Sequence, residues 1–102
     1  MAVEVNWTSL SLDDIENIAG FIANDSQCYA LLQTELFFER VKILETQPEI
    51  GRIVPEIGSK SIRQLVEGNY RIIYRVISSS RINILTVHHE SRLLSNNPLV
   101  EE

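Results

Sequence analysis

The sequence holds a single cysteine, Cys28, so no internal disulfide can form. No apolar run approaches the ~18 residues that a membrane span needs, and the start lacks the basic, apolar and small-residue order of a secretory signal. Nothing points to an oxidising compartment, so a cytoplasmic location is expected. Also missing are a Gly-rich phosphate loop, the ligand spacing of a zinc site and a nucleophile elbow. No cofactor and no metal is therefore implied. His88 and His89 are adjacent. On a strand they alternate to opposite faces and cannot share one metal without a bulge. Internal repeats, low-complexity tracts and linkers are absent too, which leaves one domain over residues 1–102.

What is present is an ordinary globular composition, with 44% apolar and 23% charged residues. The net charge of −5 is unevenly divided. Residues 1–50 carry nine acidic and two basic groups, whereas residues 51–100 carry seven basic and three acidic ones. The whole chain does not read as a nucleic-acid binder, and direct DNA binding is not expected. Its second half still prefers arginine to lysine, and arginine suits bidentate contacts to carboxylate or phosphate. The other reading is that these arginines sit on the wet face of a strand.

Along the chain, "VEVNWT" alternates apolar and polar residues as a half-buried strand does. Ser11 is placed to cap a first helix, in which Leu12, Ile15, Ile18, Ala19 and Ile22 recur at helical spacing. "ANDS" breaks it. Ser26 can cap a second helix through "QCYALLQTELFFERVKILETQ", ended by Pro48 and Gly51. Its apolar residues, among them Ala30, Leu31, Phe37, Phe38, Val41 and Leu44, cover more than one stripe. That helix should pack on both the sheet and its partner helix, as an antiparallel hairpin. Cys28, in its first turn, reads as a structural thiol.

"GRIVPEIGSKS" reads as a loop. Three strands follow: "SIRQLV", "YRIIYRVI" and "INILTVHH", joined through Glu67-Gly68-Asn69 and through "SSSR" as consecutive hairpins. Residues 95–102 are expected to be loosely ordered. The order β-α-α-β-β-β describes an α+β fold of two layers, a helical hairpin on an antiparallel β-sheet. Trp7, Ile15, Phe37, Val41, Tyr74 and Val87 should contribute to its core. In the middle strand, strict alternation puts Tyr70, Ile72, Tyr74 and Val76 on one face and Arg71, Ile73, Arg75 and Ile77 on the other. In the last strand it groups Leu85, Val87 and His89 against Ile84, Thr86 and His88. Arg and His on such a sheet would suit an acidic peptide or a phosphodiester, or be a solvated face.

"IRQLVEGNYRIIYRV" followed by "INILTVHHESRLL" resembles the RelE/ParE superfamily of toxins from type II toxin–antitoxin modules. "LETQPEIGRIVPEI" resembles that family's helix end and its P-x-x-G-R loop. The resemblance implies one of two activities. RelE-like members cut mRNA on the ribosome, and ParE-like members bind DNA gyrase and poison it. Arg71 in "YRIIY" is similar to the phosphate-stabilising arginine of the RelE-like nucleases. However, the lysines those enzymes carry on the preceding strand fall at Ile62 and Gln64 here, and no tyrosine follows Tyr74. Where the nucleases closer to YoeB end the last strand with a His-Tyr pair, this chain has His88-His89. "TVHHESR" is instead similar to the ParE-like ending, a histidine followed three residues later by an arginine, which His89 and Arg92 match.

The resemblance therefore implies a ParE-like toxin of a plasmid-stabilisation system, which inhibits DNA gyrase through protein contact. A cognate antitoxin would neutralise it, placing acidic side chains near the arginines. On this reading Arg63, Arg71, Arg75, His89 and Arg92 bind partners. Under the alternative, a ribosome-dependent mRNA endonuclease, Arg71, His89 and Arg92 would be catalytic. A third reading is a non-toxic co-regulator that only binds its antitoxin.

Overall fold

The computed structural model describes residues 3–90. Both Arg92 and residues 95–102 lie outside the described residues. Five strands form one sheet in the order β1-β5-β4-β3-β2, namely β1 Glu4–Trp7, β2 Arg52–Ile53, β3 Ile62–Glu67, β4 Tyr70–Ser78 and β5 Arg81–His89. Two helices, α1 Ser9–Ala23 and α2 Gln27–Arg40, cover one face. The expected two-layer α+β fold and its order of elements are therefore present. The sheet is mixed rather than wholly antiparallel, because β1 runs parallel to β5 from Glu4↔Arg81 to Trp7↔Ile84.

The start of α1 differs from expectation. Thr8, not Ser11, is the cap: its hydroxyl accepts from the Ser11 N–H and donates to the Ile84 carbonyl at 2.7 Å. Ser11 is fully buried one turn on, and its hydroxyl donates to the Thr8 carbonyl. The cap thus falls where one hydroxyl can end the helix and fasten it to β5 as well. Ser26 caps α2 as expected, accepting from the Tyr29 N–H. The helix ends at Arg40 and tightens into a 3₁₀ turn, Val41–Glu45, that carries Val41 and Leu44 into the core.

The core on the helix side joins Ile15 and Phe37 to Leu65, Ile72, Tyr74, Ile82, Ile84 and Val87, with Trp7 half-buried against it. A second, smaller cluster on the other face of the sheet holds Val54, Ile62, Ile73 and Leu85. Leu31 and Phe38 do not join the core. Leu31 is 68% exposed, and Phe38 lies against Trp7 at the margin, with ring centroids 4.7 Å apart.

A bulge resets the alternation of β5. Tyr74 pairs with Ile84 and Ile73 with Thr86, so Leu85 is an extra residue opposite no partner. Ile82 and Ile84 face the helices before it, and Val87 and His89 face them after it, while Leu85 turns to the second cluster. The grouping of Leu85 with Val87 and His89 is therefore corrected. Asp14 of α1 serves the bulge, accepting the Val87 N–H at 3.1 Å and the Thr86 hydroxyl.

The segment "GRIVPEI" contains β2, which pairs with β3 through Arg52↔Gln64 and Ile53↔Arg63. A two-residue strand leaves no periodic signal and is defined only by its neighbour. Gly68 takes φ +60° at the first central position of the β3–β4 hairpin, a conformation that favours glycine and matches the sheet's twist.

Candidate functional site

Arg71 points away from the helices, paired across the sheet with Val66 on β3 and His88 on β5. It is only 7% exposed. Its guanidinium grips Glu56 with both arms, Nη1 to Oε2 at 2.6 Å and Nη2 to Oε1 at 2.9 Å. Its Nε donates to Oε1 of Gln64 at 2.9 Å. This fork-to-fork pairing, strengthened by charge, holds the Glu56 carboxyl down at about 2, against an ordinary 4.5. Partial desolvation of the carboxyl opposes that shift without overcoming it. Chemically the cluster is a closed ion pair: the donor edge that would meet a phosphate already holds a carboxylate.

His89 stands on the opposite face, its ring edge-on to Tyr70 with centroids 5.6 Å apart. The two lie at the end of a groove of about 310 Å³ between α1 and the sheet, walled by Ile18, Phe21 and Val87. Phe21 is 76% exposed at its rim. Arg71 and His89 are thus brought onto different faces of the sheet and not to a common centre.

The remaining arginines also diverge. Arg63 faces the helix side, paired with Tyr74, and donates to the carbonyls of Gly51 at 2.9 Å, Glu49 at 3.2 Å and Lys60 at 3.1 Å. It anchors the loop that brings the chain to β2. Beside it Tyr74 is fully buried, and its hydroxyl accepts the Gly51 N–H at 2.9 Å. Burial pushes that phenol above its ordinary pKa. Arg75 is half-buried between Ile62 and Asn83 on the face away from the helices.

Sequence reasoning missed three features. Glu56 is fifteen residues from Arg71 on an irregular loop, so no spacing rule links them. Asp14 lies in α1, seventy-three residues before Val87, and nothing in its local sequence shows the bulge that it serves. The third is a row of exposed apolar residues on α2, Tyr29, Leu32 and Leu36, whose three- and four-residue spacing is visible in the sequence. A further groove, of about 410 Å³, runs between the helices over Ala19, Gly20, Ala23 and Ala30.

Solved structures share this fold. One, described as the chromosomal ParDE toxin–antitoxin system from P. aeruginosa, matches with a TM-score of 0.70 at 21% identity, covering 86% of this chain and 96% of that one. Another, the toxin–antitoxin complex RelBE2 from Mycobacterium tuberculosis, matches with a TM-score of 0.55 at 16% identity, covering 87% of this chain and 99% of that one. At these identities they establish the fold. No curated protein matches the chain. The sequence profile described as "ParE toxin of type II toxin-antitoxin system, parDE" matches residues 5–94, nearly the whole chain. The chain therefore belongs to the ParE toxin family of type II toxin–antitoxin systems.

Proposed function

We infer that this protein is a toxin that works by protein–protein contact, inhibiting DNA gyrase in the cytoplasm until a cognate antitoxin occupies it. The observation that carries this reading is the closed pair of Arg71 and Glu56. RNA cleavage without a metal needs cations on the phosphate in the transition state, with a base and an acid beside it. Here the one arginine placed like a nuclease's is 7% exposed and already neutralised. Ile62 is buried in the second cluster, and Gln64 holds the same arginine. His89 lies across the sheet. Such a constellation supports a binding surface better than a catalytic one.

Two assays on the purified protein test this. DNA supercoiling by gyrase is expected to fall as the protein is titrated in, and mRNA on programmed ribosomes is expected to stay intact. Site-specific mRNA cuts that vanish in Arg71→Ala would overturn the reading in favour of a nuclease. Induction with neither a growth defect nor a gyrase effect would leave a partner-binding co-regulator.

A further inference from the structure

Three large apolar side chains stand in a row on the outside of α2: Tyr29 is 53% exposed, Leu32 49% and Leu36 37%. Their spacing of three and four residues keeps them on one stripe, about 10 Å long at a rise of about 1.5 Å per residue. Arg40 continues the stripe one turn beyond Leu36. Asp25, exposed, stands four residues before Tyr29 and just ahead of the Ser26 cap. Nε of Arg40 donates to the Val66 carbonyl at 3.1 Å, which holds the guanidinium at that end of the row. Lys42 follows, exposed and paired with Glu39 at 3.0 Å.

Charge is sorted along this stripe. No lysine, arginine or histidine precedes Arg40 in the chain, so the helices bring no cation to the Asp25 end. The first two cations, Arg40 and Lys42, both stand at the other end. An apolar centre with an anion at one end and cations at the other is complementary to a copy of itself turned end for end. A two-fold axis close to Leu32 sets Tyr29 of each copy against Leu36 of the other and carries Asp25 toward the other copy's Arg40. Parallel helices would do the reverse, placing Asp25 on Asp25 and Arg40 on Arg40, where like charges repel.

We propose that the outer stripe of α2 is a contact between two copies of this chain, paired antiparallel about an axis near Leu32. The apolar row of each copy covers that of the other, and the ends are joined by Asp25 and Arg40 in both directions. The proposal rests on the row and its charged ends, not on the toxin reading. A wholly acidic or wholly basic partner would suit one end of the stripe and be repelled at the other, whereas a second copy answers both. Two turns of helix from each side make a small interface, below about 1,200 Å² in total, so the pair is reversible and fills only at high concentration.

The test follows the mass of the full chain by sedimentation equilibrium and its spectrum by NMR. Between about 5 μM and about 1 mM the mean mass is expected to rise from 11.7 kDa toward twice that value. Over the same range the methyl groups of Leu32 and Leu36 and the ring of Tyr29 should shift. Leu32→Glu should hold the chain at the monomer mass, and because Leu32 is half-exposed an unchanged amide spectrum elsewhere verifies that variant's fold. Asp25→Lys and Arg40→Glu should each weaken the pair by at least about tenfold, since each sets like charges opposite one another. Combined in one chain, the two substitutions should restore it, which loss of the Arg40 bond to Val66 could not do. A mass that stays at 11.7 kDa throughout overturns the proposal and leaves the row to a different protein. A dimer that survives Leu32→Glu overturns it, as does a double variant no tighter than the single ones. Concentration-dependent shifts confined to β1 or to the groove of Phe21 do so too.

Discussion

The hydroxyl of Tyr74 occupies the space that a side chain on residue 51 would need. A Cβ built on Gly51 would collide with that hydroxyl and come within 2.7 Å of Cε1 of the ring and 2.8 Å of the Gln64 carbonyl oxygen. The glycine of the P-x-x-G-R loop is thus required by close approach, not by an unusual backbone angle. It lets the loop lie on β3 and β4, where Tyr74 and Arg63 hold it. Gly51→Ala is expected to destabilise by about 1–3 kcal/mol, read by urea denaturation. Tyr74→Phe should cost about 1 kcal/mol on its own by leaving the Gly51 N–H without its acceptor. In the double variant the two losses should fall short of additive, since each disturbs the same contact. Strict additivity would argue that the residues do not share it.

Asp14 performs for α1 what Arg63 performs for the loop. Its carboxylate answers the Val87 N–H and the Thr86 hydroxyl beside the bulge, so it docks the helix where the ladder of β5 is interrupted. Asp14→Ala should cost about 2 kcal/mol, because two part-buried donors lose a charged acceptor. Asp14→Asn, which keeps a carbonyl oxygen, should cost less. Amide exchange at Val87 should accelerate in the alanine variant ahead of the rest of β5. Exchange that speeds up uniformly would mean that the effect is global.

Phe37 is 1% exposed and meets Tyr70 edge-on, with ring centroids 5.3 Å apart. It ties α2 to the hairpin of β3 and β4. Truncation to alanine should cost about 3–5 kcal/mol, through lost burial and the cavity left behind. A measured loss below about 1 kcal/mol would contradict its central place in the core.

The order of elements was legible because local signals carry it. Ser26 before α2, Gly68-Asn69 between β3 and β4, and the alternation through β4 are written within a few residues of where they act. The bulge at Leu85 was not legible, since one extra residue in a run of apolar side chains leaves no mark until the strand is paired. Strand β2 exists only against β3. Thr8, not Ser11, is the cap, and its hydroxyl also reaches the carbonyl of Ile84, a partner far along the chain that no local pattern reveals. For the site, the resemblance to the toxin family pointed to Arg71 and His89 but carried no register. The register puts them on opposite faces and gives Arg71 to Glu56 and Gln64.

Gln33 is an exception to the good pairing elsewhere. It is 4% exposed on α2, and its Nε2 has no hydrogen-bond partner among the described residues. A buried donor left unmade costs more than an apolar group of similar shape. Gln33→Leu is therefore expected to stabilise the protein, by up to about 1 kcal/mol, or roughly 4–8 °C in Tm for a domain of this size. A lowered Tm would mean that the amide makes a bond through water that leucine cannot replace.

The pair of Glu56 and Arg71 gives stability an acid dependence with a definite sign. The folded-state pKa of Glu56 is depressed from 4.5 to about 2 by the Arg71 hydrogen bonds. A depressed carboxylate contributes stability that is fully present above its unfolded pKa and is lost as pH falls through the folded one. Glu56→Gln should therefore be less stable than the native chain near neutrality, by about 1–2 kcal/mol once solvent screening of a side chain that is 39% exposed is allowed for. That gap should hold down to about pH 5 and close between there and about pH 2, because only the native chain has this proton to gain. Urea denaturation of both proteins across that range measures it, and a gap independent of pH would mean that no ionised pair holds Arg71. Below about pH 2 the arginine loses its internal carboxylate in the native chain too, which makes Glu56→Gln at neutral pH the milder way to free it. If that variant still leaves mRNA on programmed ribosomes uncut, uncovering Arg71 does not create a nuclease, and its charge serves the fold.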